Sequence, residues 1–205
     1  MFDFLIVGAG ISGLMVAREL LSVGASVCLI DRQACGKEAS WAGGGIVSPL
    51  YPWRYSDAVT ALASRAQDVY PALTTDLFNE TGIDPQYHAC GLLMIEPQDQ
   101  QQALQWSSRH GRQVDSWGHH EIYRHEPELA LGGNSALWMP TVANVRNPRL
   151  LQALCASVDS FPTAVINEHC DVLSIKTNGG QASGIIVRQH GHTRLIQGGG
   201  VVVTA

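Results

Sequence analysis

The chain has 205 residues, of which 45% are hydrophobic and 15% charged; this composition fits one or two globular domains and excludes a disordered chain. Thirteen lysines and arginines against 18 aspartates and glutamates give a formal net charge of −5. The basic residues form no run, so the sequence predicts no nucleic-acid partner.

Residues 4–21 predict a strand, a glycine turn and the start of a helix. The apolar run Phe4 to Val7 is typical of a buried parallel strand. Gly8, Gly10 and Gly13 follow as G-x-G-x-x-G. In this pattern the glycines permit a tight turn, close approach of backbone to a pyrophosphate, and close packing of helix on strand.

A second strand is predicted over 25–31, after a break at Gly24. It ends in Asp31, 18 residues beyond Gly13, which is about the spacing at which a carboxylate reaches the ribose of an adenine dinucleotide. A glycine turn that binds nothing is the alternative. The pattern by itself does not separate NAD from FAD.

The next segment, 36–55, has neither helical nor strand periodicity. Its three consecutive glycines, Gly43, Gly44 and Gly45, indicate backbone that lies against a flat or bulky group. A hinge or an ordinary loop is the alternative.

Beyond this segment the pattern alternates between helices and strands. We predict helices over 56–82, with a kink or break at Pro71, and over 98–110 and 121–127, and a helix that starts at Pro148. Strands are predicted over 87–95, 164–166, 170–177, 182–188, 193–196 and 198–205. The sequence Asn178-Gly-Gly180 and the segment 190–192 predict two hairpin turns.

Five widely spaced cysteines without a C-x-x-C pair favour a reducing cytosol over a disulfide framework. The apolar N-terminus lacks a basic flank and is interrupted by its glycines, which argues against a signal peptide or a membrane helix. We therefore expect a cytoplasmic protein without a membrane partner. The triplet His119-His120-Glu121 lacks metal-ligand spacing, so no metal site is predicted.

Two stretches carry a resemblance to a known family. Ala39-Ser-Trp-Ala-Gly-Gly-Gly-Ile-Val-Ser-Pro49, together with the N-terminal fingerprint, resembles the FAD-dependent D-amino-acid oxidase superfamily. Within it, Trp-Ala-Gly-Gly-Gly and Pro-Leu-Tyr-Pro-Trp-Arg-Tyr look most like the thiamine-pathway glycine oxidases of bacteria. The aromatic cluster Trp53 to Tyr55 would then wall a substrate pocket or serve in packing.

The resemblance implies FAD as cofactor and a role for each matching position. Asp31 and Arg32 would hold the adenosine ribose, and the three glycines at 43–45 would pass beside the isoalloxazine ring. Val172 would touch the adenine side through its backbone, although a core valine is the alternative. The full set of expected FAD-binding residues is Gly8, Gly10, Ile11, Ser12, Gly13, Asp31, Arg32, Glu38, Ala39, Gly43, Gly44, Gly45 and Val172.

The implied fold is α/β: a Rossmann-like FAD-binding domain of the glutathione-reductase type with an inserted α+β substrate domain. Residues 1–82 and 146–205 would form the FAD-binding part, and 83–145 the insertion. The resemblance covers the N-terminal half to two-thirds of a typical member. The C-terminal part is therefore expected to be missing, with the residues that bind and orient the substrate, and no catalytic residue is assigned.

The implied reaction is oxidative deamination of a small amine or amino acid, most closely glycine, with O2 as electron acceptor and H2O2 as product. The alternatives are a D-amino-acid or sarcosine-type oxidase or dehydrogenase, a tRNA-modifying oxidase domain, and a truncated FAD-binding fragment without activity. The sequence leaves a homo-oligomer open.

Overall fold

The computed structural model describes residues 1–130 and 133–204. Its helices are α1 (Ile11–Ser22), α2 (Ala39–Ala42), α3 (Asp57–Thr81), α4 (Gln100–His110), α5 (His119–His125) and α6 (Asn147–Asp159), with a 3-10 turn at Pro52–Arg54. Its strands are β1 (Phe2–Val7), β2 (Val27–Ile30), β3 (Leu92–Ile95), β4 (Asp115–Gly118), β5 (Ser135–Met139), β6 (Ala164–Asn167), β7 (Cys170–Asn178), β8 (Gln181–Gln189) and β9 (His192–Val203).

The chain divides into two compact units. Unit 1 comprises Met1–Gly44, Thr74–Gln86 and Arg146–Ala205, and unit 2 comprises Gly45–Leu73 and Tyr87–Val145. Among the described residues, no helix combines the length and apolar character that crossing a membrane requires.

Unit 1 is built on a six-stranded sheet in the order β6-β2-β1-β9-β8-β7. The first four of these strands are parallel, and β8 and β7 continue the sheet in antiparallel pairing. The mixed α/β fold with a parallel sheet is thereby confirmed. Leu5, Cys28 and Ile30 are fully buried in its core, together with Ile185 and Val187 of the antiparallel part.

A polar network joins three helices of unit 1. Arg18 on α1 donates to Glu80 at 2.5 Å, and the Ser157 hydroxyl on α6 donates to the second oxygen of Glu80 at 2.7 Å. Ser157 is fully buried, so its hydroxyl requires a partner inside the protein.

Unit 2 contains a three-stranded antiparallel sheet in the order β3-β5-β4. Its core is formed by Met94, Ala103, Trp106, Val114, Leu137, Met139 and Val142, and Trp53 packs against this cluster. The Trp106 indole N–H donates to the buried Thr60 hydroxyl at 3.2 Å.

Several predicted elements were wrong in extent. The segment 36–55 contains α2 and the 3-10 turn, and α3 runs without a break through Pro71. The strand predicted over 87–95 is confined to Leu92–Ile95, and β4 was not predicted. Both hairpin turns are confirmed, with Gly179, Gly180, His190 and Gly191 at positive φ.

The strands predicted over 193–196 and 198–205 are one strand, β9. Its glycines mark a close approach to β1. A Cβ added at Gly198 would lie 2.5 Å from the Leu5 side chain, and one added at Gly200 would lie 3.0 Å from Phe4. Glycine therefore allows β9 to pair beside β1 while these bulky side chains remain in place.

The expectation of no disulfide is also corrected, because Cys35 is bonded to Cys155. The two residues are 120 positions apart in sequence, and neither lies in a motif that indicates pairing. Cys28, Cys90 and Cys170 are free thiols.

Candidate functional site

A cavity of about 600 Å³ opens in unit 1 where β1, β2 and β9 end. Ligands of open α/β sheets bind at the carboxyl ends of parallel strands. The cavity is lined by Val7, Gly8, Gly10, Ile30, Asp31, Arg32, Glu38, Ala39, Ser40, Cys170, Asp171, Val172 and Thr204.

The glycine turn forms one wall of the cavity. Gly8 has φ +105°, a left-handed conformation that glycine adopts at little cost. A Cβ added at Gly13 would lie 1.8 Å from the Gly8 carbonyl oxygen. Only glycine at position 13 therefore lets α1 begin this close to the end of β1, which brings the N-terminal N–H groups of the helix to the cavity.

Thr204, the residue after β9, completes this wall. Its hydroxyl lies 3.2 Å from the Val7 carbonyl oxygen and 3.1 Å from that of Gly8, within donating distance of both. Thr204 was not predicted as a site residue because it reaches the glycine turn only when β9 pairs with β1, and these two strands lie at opposite ends of the sequence.

Asp31 lies at the end of β2 and is already bound to backbone. One carboxylate oxygen accepts from the Ala9 N–H at 2.7 Å, and the other accepts from the Gln33 N–H at 2.8 Å. The side chain is thereby oriented within the cavity that its spacing from Gly13 predicted.

Ser40 is a site residue that sequence analysis missed. Its hydroxyl accepts from the N–H of Ile11, the first residue of α1, at 3.0 Å. A Cβ added at Gly10 would lie 3.0 Å from the same hydroxyl oxygen. The short helix α2 thus lies directly over the glycine turn, and no spacing rule in the sequence indicates this.

Strand β7 supplies the remaining wall through Cys170, Asp171 and Val172. The Cys170 N–H donates to the Asp31 carbonyl at 2.9 Å, which fixes the start of β7 beside the end of β2. Burial raises the pKa of the Cys170 thiol. The thiol is therefore neutral near pH 7 and adds no negative charge to the cavity.

Seven of the thirteen predicted residues line the cavity: Gly8, Gly10, Asp31, Arg32, Glu38, Ala39 and Val172. Ile11, Ser12 and Gly13 lie on the first turn of α1, adjoining this wall. Gly43 and Gly44 follow α2 in unit 1, whereas Gly45 belongs to unit 2, and none of these three glycines lines the cavity.

Residues 3–205 match the family model described as DAO, FAD dependent oxidoreductase. The chain belongs to this family. Its members depend on FAD, and a glycine turn, an acidic residue at the end of β2 and a cavity at the strand ends are the features that a bound FAD requires. The cavity therefore fits the adenosine and pyrophosphate parts of the cofactor.

Relatives within the family include the glycine oxidase of Pseudomonas aeruginosa, 48% identical over 180 residues, which cover 88% of this chain and 50% of that protein. The bifunctional protein ThiO/ThiG of Trichormus variabilis is 26% identical over 92% of this chain and 30% of its own length. The chain thus spans about half the length of the first of these relatives.

Among solved structures, the glycine oxidase of Bacillus cereus superposes with a TM-score of 0.87. It is 24% identical, and the match covers 99% of this chain and 55% of that structure. This likeness shows that the chain has the fold of about half of that structure.

Proposed function

We propose that the protein containing this chain catalyses the FAD-dependent oxidative deamination of glycine, giving the imine, which hydrolyses to glyoxylate, and H2O2. The observation that carries the proposal is the cavity at the strand ends, with Asp31 fixed opposite the glycine turn, in a chain of the DAO family. The 48% identity to a glycine oxidase supports glycine as the substrate.

The residues of this chain would position the cofactor. The N-terminus of α1 and the glycine turn would bind the pyrophosphate, because their N–H groups and the helix dipole favour an anion. Asp31 and Arg32 would bind the adenosine ribose, and the Val172 backbone would contact the adenine. Glu38 and Ala39 would flank the cofactor together with Ser40.

The three glycines at 43–45 would pass beside the isoalloxazine ring, where backbone N–H groups reach ring atoms only if no side chain intervenes. When bound, FAD supplies the chemistry: it accepts a hydride from the α-carbon of the amine and is reoxidised by O2. The contribution of the protein is to hold the two reactants in register.

The cellular setting is part of the proposal. The similarity to a ThiO/ThiG protein supports a role in supplying thiazole synthesis for thiamine. We place the protein in the cytoplasm, with O2 as electron acceptor. Residues 1–82 and 146–205 would serve FAD binding, and 83–145 substrate binding.

The test uses the protein at its natural length. It is purified with FAD, oxygen is removed, and glycine is added while flavin absorbance is followed. We expect the absorbance near 450 nm to bleach and to return on admission of air, with H2O2 released in step. Bleaching with sarcosine or a D-amino acid but not with glycine would refute the assigned substrate.

The 205-residue chain alone provides a matched control. Binding of FAD without bleaching by any amine would assign the cofactor site to this chain and the substrate-binding groups to sequence outside it. Failure of both the chain and the natural-length protein to bind FAD would refute the proposal.

A further inference from the structure

The disulfide between Cys35 and Cys155 lies in unit 1 and involves the loop that follows β2. Cys35 follows β2 by five residues, and Cys155 lies on α6. Their Cα atoms are 6.8 Å apart, within the range that a disulfide spans without movement of the backbone. Both residues are half-buried and neither lies fully in the core.

The loop that carries Cys35 is hydrogen-bonded to the glycine turn and to Glu168. The Gly36 N–H donates to the carbonyl of Ala9, in the glycine turn, at 2.9 Å, and the Cys35 N–H donates to the Glu168 carboxylate at 2.7 Å. Asp31, four residues before Cys35, lines the cavity and binds the Ala9 N–H. A covalent bond at Cys35 therefore restrains the segment that orients both Asp31 and the glycine turn.

The α6 side of the bond is rigid. Leu151 is buried one helical turn before Cys155, and a Cβ added at Gly36 would lie 3.0 Å from the Leu151 Cβ. The loop thus packs on the same face of α6 that presents Cys155. Closure of the bond fixes the loop covalently to a well-packed helix, whereas opening it leaves the loop held by hydrogen bonds and by its packing against Leu151.

We propose that Cys35 and Cys155 form a reversible, peroxide-responsive thiol pair whose oxidation strengthens FAD binding. The proposal rests on the proposed function for its oxidant, since H2O2 is the product of that reaction. Disulfides of cytosolic proteins are mostly transient or regulatory, which fits a pair that is reduced again by cellular thiols.

Oxidation of the two thiols to the disulfide needs only H2O2 as oxidant. One thiolate attacks H2O2, the O–O bond breaks, and the sulfur becomes a sulfenic acid as the first water forms. The second thiol attacks that sulfur, the S–S bond forms, the S–O bond breaks, and the second water leaves. Two thiols lose two electrons, and H2O2 is reduced to two molecules of water.

The free cysteines differ from the Cys35–Cys155 pair in burial or in position. Burial raises the pKa of Cys28 to about 11, so this thiol is neutral and unreactive near pH 7. Cys90 is exposed and lies in unit 2, apart from the pair in sequence and in unit. The variant C90S is therefore a matched control that removes one accessible thiol without touching the pair.

The experiment uses the FAD-loaded, natural-length protein, reduced with dithiothreitol and desalted without oxygen. Reagent H2O2 is added, and thiols are counted by alkylation and peptide mass spectrometry. We expect Cys35 and Cys155 to be lost together as a linked peptide pair in the parent and in C90S, and the link to be absent from C35S and C155S. The FAD dissociation constant, from flavin fluorescence on serial dilution, should rise about fivefold on reduction in the parent and C90S.

In C35S and C155S the dissociation constant should be the same with and without reductant. A pair that stays reduced with peroxide, a bond that dithiothreitol leaves intact in the folded protein, or equal FAD affinity of the two redox forms would each overturn the proposal. Because H2O2 is added as a reagent and no amine is used, these outcomes are independent of whether glycine is the substrate.

Discussion

The Asp31 carboxylate accepts a hydrogen bond from the Ala9 N–H at 2.7 Å, so the end of β2 is joined directly to the glycine turn that follows β1. The same carboxylate also binds the Gln33 N–H. A single side chain therefore orients two backbone segments that border the cavity. If Asp31 binds the ribose as proposed, its carboxylate is already oriented before the ligand arrives, which lowers the cost of ordering the site on binding.

The variant D31A tests this arrangement. It removes both acceptors and the group assigned to the ribose, and we expect the FAD dissociation constant to rise about 10- to 100-fold, the equivalent of one or two charged hydrogen bonds. The measurement is a flavin fluorescence titration of the apoprotein.

Its matched control is D3A. Asp3 also accepts hydrogen bonds from backbone and hydroxyl, at Ser26, but it lies at the start of β1 and outside the cavity lining. D3A should reduce stability and leave FAD affinity unchanged. Equal losses of FAD affinity in D31A and D3A would show that Asp31 acts through general stability alone.

Substitution at Gly44 tests the assignment of residues 43–45 to the flavin ring. A Cβ at Gly44 would meet no atom within 4 Å, so G44A should leave the free energy of unfolding within about 0.5 kcal/mol of the parent. If the backbone here lies against the isoalloxazine, FAD affinity falls and the flavin absorption bands shift. A parent-like spectrum and affinity in G44A would refute the assignment.

The contrasting variant is G13A. Its Cβ would lie 1.8 Å from the Gly8 carbonyl oxygen, so α1 would have to move away from β1, and we expect loss of folding as well as of FAD binding. Circular dichroism with urea titration separates the two cases, because only G44A should unfold at a parent-like urea concentration.

The sequence predicted those parts of the site whose geometry is local. The turn from Gly8 to Gly13 and the acid at Asp31 follow from one strand, one helix and the next strand, and both lie at the cavity. Ser40 and Thr204 could not be predicted in this way. Their roles depend on α2 lying over the glycine turn and on β9 pairing with β1, and both arrangements are set by tertiary packing.

Several predicted elements of the fold were wrong for the same reason, because tertiary packing decides the structure at those positions. The sequence predicted two strands, over 193–196 and 198–205, whereas Gly198 and Gly200 allow one continuous strand, β9, to pass the Leu5 and Phe4 side chains. Pro71 predicted a kink or a break, and the structure shows one helix of 25 residues that continues through this position. The Cys35–Cys155 pair is separated by 120 residues, and no local pattern indicates it.

The variant E80Q tests the polar network of unit 1. Burial raises the pKa of Glu80, but the hydrogen bonds from Ser157 and Arg18 and the charge of Arg18 outweigh it, and the pKa lies below its ordinary value. The Glu80 side chain is 40% exposed, so solvent screening limits the expected loss of stability at pH 7 to about 1 kcal/mol.

The pH dependence of E80Q follows from the direction of that shift. Because the pKa is lower in the folded state, the stabilisation is present above the unfolded value of about 4.3 and is lost as the pH falls through the folded value. The difference in free energy of unfolding between the parent and E80Q should be constant from about pH 7 to 5 and should shrink below about pH 4. Glu19, the exposed neighbour of Arg18 on α1, provides the control E19Q, whose free energy of unfolding should match that of the parent at every pH. A difference between the parent and E80Q that widens in acid would contradict the prediction.

Asp99 lies in unit 2, immediately before α4. One of its carboxylate oxygens accepts from the Arg54 Nε at 2.6 Å and from the Trp53 indole N–H at 2.7 Å. These hydrogen bonds, from Arg54 first and then from Trp53, lower the pKa of Asp99 to about 2. The Asp99 carboxylate thus fixes the 3-10 turn at Pro52–Arg54 to the start of α4. Trp53 of this turn also packs against the core cluster of unit 2.

Since the folded pKa of Asp99 is depressed, its stabilisation is present above the unfolded value of about 3.9 and is lost between there and about pH 2. Thermal unfolding of the parent and D99N from pH 7 to 2.5 should show a Tm difference that is largest near neutrality and declines below pH 4. The exposed Asp68, paired with Arg112 at 3.2 Å, provides the control D68N, with little effect expected at any pH. W53F should reproduce part of the D99N effect, because it removes one of the two donors; a Tm gap for D99N that persists undiminished at pH 2.5 would show that the charge of Asp99 is not what stabilises the turn.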